Sequence, residues 1–481
     1  MTLAAAGAWA PERRLLTAGL LGLVTAAAFE GMAVPTVLPA TLRDLGDLEL
    51  YGWAFAAFWL TNIIGITLGG TDADRRGPAR SFAAGVLLFA AGMAISGLAP
   101  GMPVVIAGRA VQGFGSGAIA AVVYAAIARA YAPNAIPRML ALLSSAWIVP
   151  GLVGPALAAV VADALGWRWV FLGIVPPVIV MGLAVLPPLG ALGPARSRVE
   201  APRIDRRRAL DAVGLAAGST LLLGALTAGA PLIALGLGVP GAVLTVVTLR
   251  RLIPSGSLRL RAGRPAVIGL VFGVAFAFFG TEAFVPLAVV EVRGAPISVG
   301  GLALSAAAVT WATGSWLQAR VAPRGTRRAL VRGGGLLIGA GIAIVALVVV
   351  PPLPVAVAAL GWAIAGLGMG LAYTTLSLLV LETAESGVEG ASSTALNLMF
   401  TLGTAFGAGL GGAVIALADA GILALDRAIL IVDGGMALAA LAVAVMAGRV
   451  PAAVTARQPL AAAGEQIASP AGLLGGSRER T

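Results

Sequence analysis

Two charged residues stand inside apolar runs of this chain, where an isolated charge is expensive. Arg109 lies in an apolar run from about residue 104 to 128, and Glu30 interrupts the first apolar run. An arginine in hydrocarbon costs at least ~3 kcal/mol, so both side chains are expected to face a protein interior or a wet cavity. Both lie roughly 10 Å below the outer surface at about 1.5 Å per helical residue, so they can pair. In such a pair, protonation of Glu30 and substrate binding compete for one site; the alternative is a static ion pair that sets helix register.

A second intramembrane carboxylate, Glu282, follows Glu30 by 252 residues and occupies nearly the matching place in the second half. No intramembrane arginine accompanies it, because Trp362 stands where a repeat of Arg109 would fall. Glu282 is predicted to carry a proton or to bind a cationic substrate, with a neutral carboxylic acid bonded to a neighbouring helix as the alternative. Asp433, in the last apolar segment, is a weaker candidate. The chain has no His, so a side-chain proton carrier must be Asp or Glu.

A glycine-rich phrase occurs twice, which indicates an internal duplication. GRAVQGFGSG begins at Gly108 and GWAIAGLGMG at Gly361, and four glycines of each align at a constant offset of 253 residues. Small residues let membrane helices approach closely. Two related halves with a site between them is the common plan of secondary transporters. The residues of the first phrase predicted to pack helices and to serve a gate are Gln112, Gly113, Gly115 and Gly117.

Composition places the chain among integral membrane proteins. It is 59% hydrophobic and 11% charged, with a mean hydropathy of +0.98. A net charge of +11 invites a nucleic-acid interpretation, which we reject because the arginines lie in short loops between apolar runs. Without Cys or His, the chain offers no disulfide, no thiol nucleophile and none of the commonest metal ligands. We predict no cofactor and no metal.

Fourteen apolar segments of spanning length predict an all-α membrane fold of two six-helix lobes with a central two-helix insertion. With the N-terminus in the cytoplasm, 27 of the 32 arginines fall on the inner side and 4 on the outer side, as the positive-inside rule requires. We therefore expect both termini to be cytoplasmic in a multi-pass cytoplasmic membrane protein. The predicted parts are an N-terminal lobe 1–189, a basic linker 190–209, an inserted hairpin and loop 210–265, a C-terminal lobe 266–450 and a disordered tail 451–481.

Two further stretches are candidates for conformational control. The loop GTDADRRGPAR combines an acid with arginines and glycines, and such a network can latch one conformation; topology alone is the alternative. Its candidate gate residues are Gly70, Asp74, Arg75, Gly77 and Arg80. In the fifth helix, proline and glycine interrupt helical regularity, which suits a moving gate or simple close packing. These residues are Pro150, Gly154 and Pro155.

Taken together, these motifs resemble those of the major facilitator superfamily. The loop is similar to the family's G-x-L-A-D-R-x-G-R signature through Gly70, Ala73, Asp74, Arg75 and Gly77, with Asp72 and Pro78 replacing a Leu and a basic residue. GRAVQGFGSG resembles the fourth-helix signature R-x-x-Q-G-x-G through Arg109, Gln112, Gly113 and Gly115. GLVGPALAA is similar to the fifth-helix motif of the antiporter branches through Gly154 and Pro155. Pro150, directly before this stretch, stands where the motif has a Gly. EGMAVPTVLP resembles the first-helix motif of the fourteen-helix drug:proton antiporters, with Glu30 where Asp is usual.

The resemblance implies a secondary transporter that works by alternating access and exports hydrophobic or amphiphilic small molecules in exchange for protons. Glu30 and Arg109 would couple the proton, and Glu282 would serve substrate or a second proton. The expected partners are a small-molecule substrate, protons and the lipid bilayer, without nucleic acid, and the protein would function as a monomer. The residues leave open sodium coupling, a dedicated exporter, importer or uniporter, and a non-transporting scaffold or sensor. We expect no enzymatic activity.

Overall fold

The computed structural model describes residues 9–132, 135–193, 206–321, 327–383 and 389–451. Within these ranges it contains no strand and fourteen helices long and apolar enough to cross a membrane. The predicted all-α, fourteen-helix fold is confirmed. The helices, named α1 to α14 in chain order, are Arg14–Leu45, Leu48–Arg76, Pro78–Gly97, Met102–Ile127, Ile148–Leu165, Arg168–Gly190, Arg206–Leu226, Pro231–Leu252, Arg264–Val292, Ile297–Val321, Arg327–Val349, Ala356–Val380, Ser392–Asp419 and Leu425–Arg449.

The domain boundaries predicted above stay a prediction. Much of the expected linker, residues 194–205, and nearly all of the expected tail, residues 452–481, lie outside the described residues. We call the end of the bundle that carries most arginines the inner end and the opposite end the outer end, following the positive-inside expectation.

The duplicated glycines pack in the same way in both halves. In the N-terminal lobe, α4 sets Gly113 and Gly117 against α2 and Gly115 against α3. In the C-terminal lobe, α12 sets Gly370 against α10 and Gly368 against α11. A Cβ added to either Gly117 or Gly370 would lie 2.7 Å from a backbone nitrogen of the facing helix. Glycine is therefore what lets these helices approach closely, and the sequence repeat corresponds to a packing repeat.

The lobes meet mainly through two helix pairs, α5 with α10 and α2 with α13, and α1 also contacts α10. At the outer end, the Arg43 guanidinium lies 2.7 Å from the Glu291 carboxylate and donates to the Val290 carbonyl at 3.0 Å. Close by, the rings of Tyr51 and Phe284 are 5.9 Å apart, again with one residue from each lobe. These contacts connect the two lobes at the outer end.

The fifth segment is broken rather than continuous. A short helix, Ile136–Ser145, precedes α5, and the chain turns at Ala146 and Trp147 between them. Pro150 follows in the first turn of α5, where a proline is tolerated. At Gly154 an added Cβ would lie 3.4 Å from the ring of Phe29 in α1. The carbonyl oxygen of Pro155 would lie 2.9 Å from a Cβ placed on Gly301 of α10. The predicted glycine and proline residues therefore lie where α5 meets both α1 and the opposite lobe.

The inserted hairpin lies beside the lobe interface. Its helices pack closely where Gly218 of α7 meets Gly241 of α8, and a Cβ on Gly218 would lie 3.0 Å from the Gly241 carbonyl oxygen. α7 also contacts α2 of the first lobe and α13 of the second, whereas most of α8 faces outward. One inserted helix thus touches both lobes.

Candidate functional site

The two intramembrane charges of the N-terminal lobe form a buried ion pair. Arg109 of α4 donates from Nη1 to Oε1 of Glu30 in α1. Glu30 is 1% exposed and Arg109 is 4% exposed. The pairing expected from helix depth is therefore present, between helices that are distant in sequence. Because each charge is removed from water, each depends on the other for compensation.

Three further groups surround the Arg109 guanidinium. Its Nη1 donates to the side-chain oxygen of Gln112 at 2.7 Å, and its Nε donates to the backbone carbonyl of Ala54 in α2 at 3.0 Å. The ring of Phe58, one turn further along α2, lies 4.3 Å from the guanidinium carbon. These contacts are with neutral groups that attract a cation. Arg109 therefore keeps partners when Glu30 is neutralised by a proton.

Sequence reasoning placed Gln112 among packing residues and missed Ala54 and Phe58. Gln112 lies three residues after Arg109, so helical periodicity places both side chains on one face, and this signal was available. Ala54 contributes only a backbone oxygen, which the sequence does not distinguish. To place Phe58 at the site, one must know how α2 is rotated about its own axis. The sequence does not reveal this rotation, because α2 is apolar and has no distinct polar face.

Glu282 has a different environment in the C-terminal lobe. It is half-buried, and no hydrogen bond or ion pair of its side chain is seen within the described ranges. It ends the regular helical stretch Arg264–Glu282, after which α9 continues as Val285–Leu287 and the π-helical Ala288–Val292. Pro286 explains the break, because it has no N–H to donate to the Glu282 carbonyl one turn earlier. The two matching glutamates are therefore not equivalent: one is paired inside a continuous helix, and the other stands at a helix break.

An aromatic cluster occupies the C-terminal counterpart of the arginine site. Trp362, at the position that matches Arg109, is fully buried and stacks on Phe278 with ring centroids 4.5 Å apart. Trp311 of α10 packs edge-on against Phe278 at 5.6 Å. Phe278 lies one turn before Glu282 on the same helix, so the carboxyl group borders this cluster.

Half-buried aromatic side chains extend the cluster across the lobe interface. Phe279 lies 5.2 Å from Phe400 of α13, and Tyr373 of α12 lies 5.0 Å from the same ring. Trp59 of α2 packs edge-on against Phe400 at 6.4 Å. Aromatic residues from both lobes thus form one continuous wall, which we call the aromatic wall: Trp59, Phe279, Trp311, Tyr373 and Phe400.

Asp433 of α14 is a buried carboxylate of the C-terminal lobe. It is 2% exposed and faces the hydroxyl of Thr281, which lies near enough to interact but outside hydrogen-bond geometry. Thr281 precedes Glu282, so Asp433 lies on the side of α9 that packs against α14.

At the inner end, the loop acids divide between two arginines. Asp72 pairs with Arg76 at 3.3 Å, while Asp74 interacts electrostatically with Arg129 at the end of the fourth helix. Arg129 also donates to the carbonyl of Leu192 at 2.9 Å, which connects this network to the end of α6. Neither Asp72 nor Arg129 was among the predicted gate residues.

The other predicted gate residues lie around this network. Gly77 has a φ of +94°, a conformation that favours glycine and allows the tight turn between α2 and α3. Gly70 faces Ala121 of the fourth helix, while Arg75 and Arg80 are exposed.

Comparison with known proteins agrees with a helical membrane bundle. The model of the Major Facilitator Superfamily matches residues 19–408. A Mycobacterium tuberculosis protein named as a probable multidrug-efflux transporter is 28% identical over 411 residues, 82% of this chain and 85% of the relative. Multidrug resistance protein 3 of Bacillus subtilis is 28% identical over 163 residues, 34% of this chain and 32% of that protein.

Solved structures show the same fold at low identity. An autoinhibited peptide transporter of the POT family superposes with a TM-score of 0.67 at 18% identity, over 92% of this chain and 99% of that one. A human organic anion transporter superposes with a TM-score of 0.58 at 19% identity, over 90% and 99%. The family match and the relatives identify a multi-pass membrane transporter of small molecules rather than an enzyme. The chain belongs to the Major Facilitator Superfamily, and its relatives include multidrug-efflux transporters.

Proposed function

We propose that this protein exports hydrophobic or amphiphilic small molecules in exchange for protons, by alternating access in the cytoplasmic membrane. The observation that carries the proposal is the buried Glu30–Arg109 pair. Glu30 provides the only carboxylate that contacts Arg109 in the described structure, and a proton on Glu30 neutralises that charge. Gln112 and the Ala54 carbonyl continue to accept hydrogen bonds from the guanidinium. Protonation therefore changes the charge of the site without removing all of its contacts.

In this proposal the substrate lies against the aromatic wall. Its flat apolar faces suit a hydrophobic or amphiphilic molecule. Glu282, which borders the cluster around Phe278, serves a polar end of the substrate or a second proton. The relatives named as multidrug-efflux transporters support export of such compounds.

We also propose roles for the loop at the inner end and for α5, and an orientation of the chain in the membrane. The inner-end residues Asp74, Arg75 and Arg80, together with Gly70 in α2 and Gly77 at the turn, govern an inner gate. Gly154 and Pro155, at the junction of α5 with the opposite lobe, allow the lobes to move. Both termini lie in the cytoplasm, and the protein acts as a monomer.

Proton release from inside-out vesicles tests the coupling. Acid-loaded vesicles contain a pH-sensitive dye, and lipophilic compounds are added outside to wild type, Glu30→Gln and Glu282→Gln. Asp426→Asn, which removes an outer-end carboxylate, is the matched control. Compound-evoked proton release in wild type and in the control, but not in Glu30→Gln, is the expected result.

Two outcomes would contradict parts of this proposal. Loss of proton release only in Glu282→Gln would move the coupling to the second lobe and leave Glu30 as a structural partner of Arg109. Folded wild type that transports a compound without moving protons would exclude proton antiport.

A further inference from the structure

A cavity lies at the inner end of the inserted hairpin, outside the parts assigned to transport. Its volume is about 740 Å³. Arginines from both hairpin helices contribute to its lining, together with one carboxylate and two leucines. The lining residues are Arg207, Arg208, Leu210, Asp211, Arg251 and Leu252.

The charges around this cavity favour an anion. Arg207 and Arg208 lie in the first turn of α7, where the helix dipole already places positive potential. Cations at this position are disfavoured, and an anion beside them offsets both the side-chain charges and the dipole. Among the lining residues, three arginines stand beside one carboxylate, that of Asp211, so the lining itself carries more positive than negative charge.

Asp211 positions Arg251 without covering it. One N–H of Arg251 donates to Oδ1 of Asp211 at 3.1 Å, while the Arg251 side chain is 64% exposed and that of Asp211 is 12% exposed. A guanidinium has five N–H donors in a planar fork, which suits two oxygens of a phosphate. The ion pair thus holds one face of the guanidinium and leaves another directed outward.

The position of the cavity favours an anion with an apolar part. Leu210, which lines it, is 69% exposed, and below it Val213 and Val247 are each 40% exposed on the hairpin surface. Phosphate binding at the arginines would place attached acyl chains along this apolar surface. Basic pockets between membrane helices at the inner face are suited to the headgroups of anionic lipids.

We propose that this cavity is a binding site for a phosphate-bearing anion, held by Arg207, Arg208 and Arg251. The phosphodiester of an anionic phospholipid and a soluble phosphate share the required chemistry, and the exposed leucine and valines favour the lipid. The site is lined by residues of the hairpin and is separate from the Glu30–Arg109 pair.

Native mass spectrometry of the full chain in neutral detergent tests the site. The protein is titrated with phosphatidylglycerol, with phosphatidylcholine and, separately, with inorganic phosphate. The variants are Arg207→Gln/Arg208→Gln and, should that protein not fold, Arg251→Gln. Arg259→Gln/Arg261→Gln is the matched control, because it removes two exposed arginines from the inner end outside the cavity.

We expect one phosphatidylglycerol to be retained in preference to phosphatidylcholine. At about 1 kcal/mol per arginine, the double variant should weaken this binding about thirtyfold and Arg251→Gln about fivefold. The control should stay within about twofold of wild type, since its arginines lie outside the site. Equal loss in the control would show diffuse attraction and overturn the site, as would no loss in the cavity variants. Displacement of phosphatidylglycerol by millimolar phosphate, with the same dependence on the arginines, would overturn the lipid as the source and assign the site to a soluble anion.

Discussion

The two lobes bury the same helix position with opposite chemistry. In the N-terminal lobe this position is Arg109, which holds the Glu30 carboxylate, an amide oxygen and a backbone carbonyl. In the C-terminal lobe it is Trp362, which stacks on Phe278 and leaves Glu282 at a helix break. Glycines in the same register bring both positions equally close to their neighbours. A duplicated framework can therefore carry a charged site in one half and an apolar site in the other, because side chains between the glycines change without altering the packing.

Removal of Arg109 gives the largest expected effect on stability, because it takes away the charge that distinguishes the two lobes at this position. Arg109→Gln leaves Glu30 buried without its counter-charge, and loss of one partner of a buried pair costs about 3–5 kcal/mol. Unfolding in mixed detergent micelles measures the change in unfolding free energy. Arg427→Gln, an exposed arginine at the outer end, is the control and should change little.

The double variant Glu30→Gln/Arg109→Gln separates charge from packing. It should recover much of the loss, because neither charge is then left uncompensated. If the double variant is as unstable as Arg109→Gln, the shape of the arginine rather than its charge stabilises the lobe.

The glycine seams predict an equal effect in the two lobes. A Cβ in Gly113→Ala would overlap the Phe58 carbonyl, and one in Gly366→Ala would overlap the Ala307 carbonyl. Overpacking of this kind costs about 1–3 kcal/mol, and the two variants should lose similar amounts. Gly434→Ala in α14, where a Cβ meets nothing within 4 Å, is the control. If thermal unfolding shows markedly different losses of stability for Gly113→Ala and Gly366→Ala, the two glycine seams do not contribute equally to the packing of their lobes.

Glu282→Gln gives the smallest expected change in stability. Its side chain has no ion pair within the described part of the chain, so the amide replaces it at a cost of about 0.5 kcal/mol or less. Glu30→Gln, measured beside it by the same thermal unfolding, should be clearly less stable because Arg109 loses its charged partner. Equal stabilities of the two variants would mean that the matching glutamates have equivalent environments, contrary to the structure.

Sequence reasoning found the charged pair because both residues are costly in an apolar segment, and helix depth placed them at one level. It also found that Trp362 replaces the second arginine, since the glycine register aligns the two positions. It missed the division of Asp72 and Asp74 between Arg76 and Arg129, because loop acids and arginines have several partners within reach. Which aromatic rings meet in the aromatic wall also required the tertiary structure, since its five rings come from five different helices.

The membrane fold, the helix number, the duplication and the residues whose charges require a partner can all be predicted from the sequence alone. Hydrophobic length, glycine spacing and the cost of burying a charge are properties of local stretches, and they can be read one segment at a time. The tertiary structure alone decided that Phe58 and the Ala54 carbonyl complete the arginine site and that Glu282 stands at a helix break beside an aromatic cluster. It also decided that arginines of two helices surround one cavity. These features depend on the rotation of each helix about its axis, and a helix that is apolar all round does not specify that rotation until its neighbours pack against it.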